Sequence, residues 1–136
     1  MYSHREEKFK SNNTESNLPD IICDSILKVA KDNHFVNCIG TALYLSGITP
    51  CDDYILSSDV DSFLKNFERI DEPKLNSLVL FRMPNEEISH MGVVVSINPL
   101  KMTHRTSFLG PVIENDNLEE VFQSYKNCKI EYRKIW

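Results

Sequence analysis

The sequence predicts an α+β fold, and three observations carry that prediction. Apolar residues recur at helical spacing up to Asp32, and the run from Phe35 to Gly47 is uncharged and rich in small side chains, as a buried helix would be. Beyond Pro73 the period shortens to that of strands, in β-branched and aromatic runs separated by turn residues. Helices first and an antiparallel sheet afterwards define the class.

Residues 1–18 are polar, rich in Ser, Asn and Glu, and without period, so they are read as a flexible N-terminal arm, leaving 19–136 as one domain. Asp20 is the expected N-cap of a first helix that presents Ile22, Ile26, Val29 and Ala30 on one face and runs to about Asp32. A second helix opens at Cys38, allows close backbone approach at Gly40, Thr41 and Ala42, and closes at Ser46-Gly47. Ser58 is expected to cap a third helix to about Phe67, with Val60, Phe63, Leu64 and Phe67 as its apolar stripe. Ser77 to Met83 and His90 to Ile97 read as a hairpin around Pro84-Asn85. Lys101 to Phe108 follows the Asn98-Pro99 turn as a third strand. A short strand at Pro111 to Glu114, a helix over Asn117 to Tyr125 and a last strand over Cys128 to Ile135 complete the chain. Phe35, Tyr44, Phe63, Phe67, Phe81, Phe108 and Trp136 are expected as buried or partly buried anchors.

Composition narrows the function. A chain of 136 residues buries roughly two thirds of the surface its unfolded form exposes, enough for a core without staples. The net charge of −5 and the scattered Lys and Arg argue against a nucleic-acid partner. The uncharged stretch from Phe35 to Cys51 is too short, and too broken by Gly47 and Pro50, for a membrane span. The first residues lack the apolar stretch of a signal peptide, which predicts a cytoplasmic protein or one exported by another route. Cys23, Cys38, Cys51 and Cys128 form no closely spaced pair, so they are read as reduced thiols rather than a disulfide framework or a zinc knuckle.

One of those thiols sits where chemistry is expected. At a helix N-terminus, free backbone amides and the macrodipole favour a thiolate, so Cys38 is the expected nucleophile, with its own backbone amide as an oxyanion donor. His90 opens an apolar strand and is the expected base. His104 lies fourteen residues on, in the next strand. A hairpin loop centred near Ile97 would set the two imidazoles directly opposite on one face, and a later turn would make them diagonal neighbours. In either register His104 would orient His90. Arg105 is a weaker expectation, as a guanidinium for a substrate carboxylate, and His34 is another, at the rim of the site.

Together these positions resemble a known family. Asn37-Cys38-Ile39-Gly40 is similar to the Asp-Cys-Ser-Gly nucleophile motif of the NlpC-type cell-wall peptidases, which are papain-like. Pro73 to Phe81 resembles that family's Pro-x-x-Gly-Asp-Leu-Val-Phe-Phe strand, and Ser89-His90-Met91-Gly92-Val93 its Ser-His-Val-Gly-Ile strand. His104 stands where the family places its third polar residue. The resemblance covers about residues 20–136 and implies a papain-like fold. It further implies a Cys-His-His triad cleaving stem peptides of peptidoglycan, with no cofactor and no metal. Asn37 for Asp, Ile39 for Ser and Asn76-Ser77 for Gly-Asp depart from the family pattern. Two other readings stand beside it. One is a papain-like acyltransferase, deamidase or peptidase acting on a protein, as a delivered effector with an inhibitor or immunity protein of unknown identity. The other is non-catalytic, with Cys38, His90 and His104 either as three ligands of a zinc ion or as remnants in a binding module.

Overall fold

A computed structural model of the chain describes residues 22–33, 36–106 and 110–136. The N-terminal arm, Asp20, His34, Phe35 and Phe108 lie outside these, so the expectations placed on them are neither met nor overturned. The described helices are α1 (Asp24–Asp32), α2 (Cys38–Leu45), α3 (Ser57–Leu64) and α4 (Leu118–Gln123). The strands are β1 (Arg69–Ile70), β2 (Leu78–Arg82), β3 (Ile88–Ile97), β4 (Leu100–Arg105), β5 (Val112–Asn117) and β6 (Lys129–Arg133). They form a six-stranded antiparallel sheet in the order β1-β6-β2-β3-β4-β5. The class is mixed α and β, compatible with the α+β expectation.

Strand alternation sorts the core into two layers. Leu78, Leu80, Met91 and Val93 face α1, α2 and α3, where they pack with Ile26, Ala30, Leu43 and Val60. Val79, Phe81, Val94 and Met102 face the other way and pack with Leu118 and Val121 of α4. The uncharged helix α2 is buried along nearly its whole length, as its composition requires. It ends with Ser46 as C-cap, and Gly47 at φ 87° takes the left-handed conformation that turns the chain away.

Several boundaries differ from the sequence expectation for local reasons. α3 begins at Ser57 rather than after Ser58, because Leu56 is its N-cap residue and the Ser57 hydroxyl accepts the Ile88 amide at 2.9 Å instead of capping. It stops at Leu64, and Phe67 lies beyond it. β1 was not expected, since a two-residue strand carries no readable period. β5 runs on to Asn117, which then caps α4 by accepting the Glu120 amide at 3.0 Å. Trp136 is exposed rather than an anchor, with the Lys134 ammonium over its ring, 5.7 Å from the centroid. Among the described residues no helix is long and apolar enough to cross a membrane.

Candidate active site

Cys38 is the first residue of α2, and the residue before it explains why the helix starts there. The Asn37 side-chain oxygen accepts the Gly40 amide at 3.0 Å and the Ile55 amide at 3.2 Å, while its amide nitrogen donates to the Ile55 carbonyl at 2.7 Å. Asn37 thus caps α2 and ties the 52–56 segment to it. Gly40 serves the same join. A Cβ at this position would lie 1.5 Å from the Asp53 carbonyl oxygen, so only glycine lets that segment lie against the helix.

The amides of Met91, Ile39 and Cys38 itself are directed at the Cys38 sulfur. Their pull, and the charge of nearby Arg105, favour the thiolate, yet burial outweighs them and pushes the thiol above its ordinary range. Helix position alone is expected to lower this thiol, and in the structure burial acts against that and prevails.

His90 and His104 come together. The β3–β4 ladder pairs Val93 with Thr103 and Val94 with Met102, a register in which the two histidines are diagonal rather than directly opposite neighbours. The turn centres on Asn98-Pro99, later than Ile97, which gives that offset. His90 Nε2 lies 2.8 Å from His104 Nδ1, the rings meeting edge to face. His104 Nε2 in turn lies 2.9 Å from the Asp116 carboxylate on β5. A carboxylate only accepts, so His104 carries its proton on Nε2, its Nδ1 accepts, and His90 donates from Nε2. His90 Nδ1 is then the unprotonated nitrogen, fit to take a proton.

His90 is 1% exposed, stacked on Tyr125 at 4.7 Å between ring centroids and near Phe81 at 5.7 Å. Burial, with a smaller contribution from His104, lowers its pKa to about 3. At neutral pH the pair is thus a neutral thiol and a neutral imidazole.

Gly92 makes the diagonal contact fit. A Cβ there would stand 3.0 Å from both the His104 Cβ and the Thr103 carbonyl oxygen, and 2.4 Å from the Met102 methyl. Gly92→Ala is expected to push β4 away from β3, costing about 1–3 kcal/mol by overpacking. Urea denaturation checks the stability, and slower acylation of Cys38 checks the loss of the His90–His104 contact; a variant unchanged in both would refute this role.

Cys38 and His90 line one cleft of about 470 Å³ with Tyr54, Leu56, Ile88 and Tyr125 on its walls. Among the described residues no Asp, Glu, Lys or Arg lines it. Arg105, expected at the substrate, is instead fully buried on the opposite face of β4 from His104. It donates to Thr41 Oγ1 at 2.8 Å, the Ala30 carbonyl at 2.7 Å and the Gly110 carbonyl at 2.6 Å, and its Nη2 lies 3.5 Å from Asp52. Its role is to hold α1, α2 and the 52–56 segment together, and the substrate-binding expectation is corrected. Among the described residues no group of three His, Cys, Asp or Glu is arranged to hold a metal ion, which leaves the zinc reading without a site there.

Sequence reasoning missed two residues of this site, Asp116 and Tyr125. Asp116 pairs with Met102, which makes it a diagonal neighbour of His104, but it lies past the strand expected to end at Glu114, so strand alternation gave no signal for it. Comparison of the chain with family models, with curated proteins and with solved structures returned no match in any of the three.

Proposed function

We propose that the chain is a cysteine amide hydrolase of papain-like, NlpC-type architecture. One observation carries this reading: the hydrogen-bonded series Asp116–His104–His90, which leaves an unprotonated imidazole nitrogen in the same cleft as a thiol at a helix N-terminus. His90 takes the Cys38 proton as sulfur attacks the carbonyl carbon, and the resulting imidazolium is stabilised through His104 by Asp116. The oxyanion is held by amides already grouped at the sulfur, those of Cys38 and Met91. His90 then passes the proton to the leaving amine, and a water that His90 deprotonates releases the acyl group.

The test is alkylation of each thiol by iodoacetamide at pH 7, read by mass spectrometry. His90→Ala is expected to slow Cys38 by at least about tenfold, since general-base assistance contributes roughly 10²- to 10⁴-fold, while exposed Cys51 reacts as before. Equal Cys38 rates in the two proteins would remove the base from the proposal.

A second reading gives the same site a protein substrate. What favours it over a peptidoglycan stem peptide is that no charged side chain among the described residues lines the cleft, because a stem peptide carries carboxylates that would want a cationic partner. Release of soluble fragments from purified sacculi, absent with Cys38→Ala, would favour the stem peptide instead.

A further inference from the structure

Resting on the hydrolase reading, we infer that the cleft accepts an uncharged, hydrophobic acyl group, seated on a preformed wall made by residues 52–56. Two independent ties fix that wall. At one end the Asp52 carboxylate accepts the Thr41 hydroxyl at 3.0 Å, and the Asp52 carbonyl accepts the Asn33 side chain at 3.0 Å. At the other end Asn37 both donates to and accepts from the Ile55 backbone. An aspartate at position 37 could accept from Ile55 but not donate to it, so the asparagine is what makes the join two-sided.

The pinned segment carries Tyr54 and Leu56, which are 52% and 51% exposed and line the cleft beside Cys38. Half-exposed large apolar side chains held in place next to a nucleophile are suited to covering an apolar ligand. The direction of the chemistry assigns that ligand to the acyl part. His90 protonates the leaving group, so the leaving group lies on the side of His90, and the group left on sulfur is the part assigned to the rest of the lining, which includes Asn37, Tyr54 and Leu56. No charged side chain among the described residues lines the cleft to pair with a charged acyl group.

The test compares two esters with one leaving group, p-nitrophenyl hexanoate and mono-p-nitrophenyl glutarate. Their acyl chains are similar in length and differ in ending in a methyl or in a carboxylate. In each, the Cys38 sulfur forms a bond to the carbonyl carbon, the carbon–oxygen bond breaks, p-nitrophenolate departs with the electron pair, and the thiol proton passes to His90 and from there to solvent. The release of p-nitrophenolate and the mass of the acylated protein give the rate. Hexanoyl transfer to Cys38 is expected to be at least about tenfold faster than glutaryl transfer, the discrimination an apolar pocket supplies. Leu56→Lys, at an exposed position, is expected to shrink or invert that ratio. Equal rates for the two esters in the parent chain, or a ratio unmoved in Leu56→Lys, would overturn the acyl-group inference and leave the hydrolase reading standing. No acylation of Cys38 by either ester would overturn both.

Discussion

Asp116→Asn is expected to slow acylation of Cys38 by p-nitrophenyl hexanoate on the order of 10²- to 10³-fold, within the range seen when general-base catalysis or the orienting acid of a triad is lost. The reasoning follows the proton positions. The carboxylate of Asp116 only accepts, so it holds the proton of His104 on Nε2, and that in turn holds the proton of His90 on Nε2. A carboxamide both donates and accepts. When it donates to His104 Nε2, the series reverses, His104 donates from Nδ1, and His90 carries its proton on Nδ1, where a base is needed. The variant also lacks the negative charge that stabilises the imidazolium as it forms. Acylation alone would not separate this from a general loosening of β5. Nitrogen-15 chemical shifts of the imidazoles do, because protonated and unprotonated ring nitrogens differ widely. The parent chain is expected to show Nε2–H on both histidines, and Asp116→Asn a mixture. A variant with parent-like tautomers and a parent-like rate would leave Asp116 without this role.

How far the site could be read from the sequence follows from where strand alternation holds. Cys38 was legible at a helix start because an uncharged run rich in small residues reads as a buried helix, while the Asn37 cap that fixes that start emerged only in the structure. His90 and His104 were legible because each sits in a strongly β-type run and the turn between them is short. The offset between them was not settled, since it depends on the register shift between Val94 and Ser96. Asp116 was hidden by irregularity. β5 shifts register against β4 between Met102 and His104, and Asn115 adopts φ 56°, so alternation fails one residue before the acid. The sequence reading ends a strand at Glu114 and starts a helix at Asn117, which leaves Asn115 and Asp116 between elements, whereas β5 runs on to Asn117. Arg105 was misassigned for the reverse reason: strict alternation puts it on the opposite face from His104, toward α1 and α2, where a guanidinium finds carbonyls rather than a substrate.

Such a buried base has a thermodynamic consequence. Stability is expected to fall as the pH drops from about 6.5, the ordinary value for histidine, toward 3, because His90 must remain neutral in the folded chain. Burial and the neighbouring His104 lower the His90 pKa to about 3. Between those two values the unfolded chain binds a proton at this residue and the folded chain does not, so stability rises with pH across the window. The contribution is fully present above about 6.5 and is lost progressively down to about 3. From one group the slope approaches about 1.4 kcal/mol per pH unit, several degrees of melting temperature for a domain of this size. Two carboxylates act in neighbouring ranges. Burial would raise Glu131, but hydrogen bonds from Arg82 and Arg133 overcome it and hold its carboxyl down, which adds a loss of the same sign in more acid solution. Burial raises Asp52 against the hydrogen bond from Thr41 and the charge of Arg105, and that acts in the opposite sense. Both remain in His90→Phe, whose ring suits a slot between Phe81 and Tyr125. Thermal denaturation of the parent and of His90→Phe between pH 4 and 7 isolates the histidine as the difference in slope. The variant is expected to lose most of the dependence between 4.5 and 6.5, and identical slopes would mean that His90 charges in place without unfolding the chain, contrary to a base held neutral by burial.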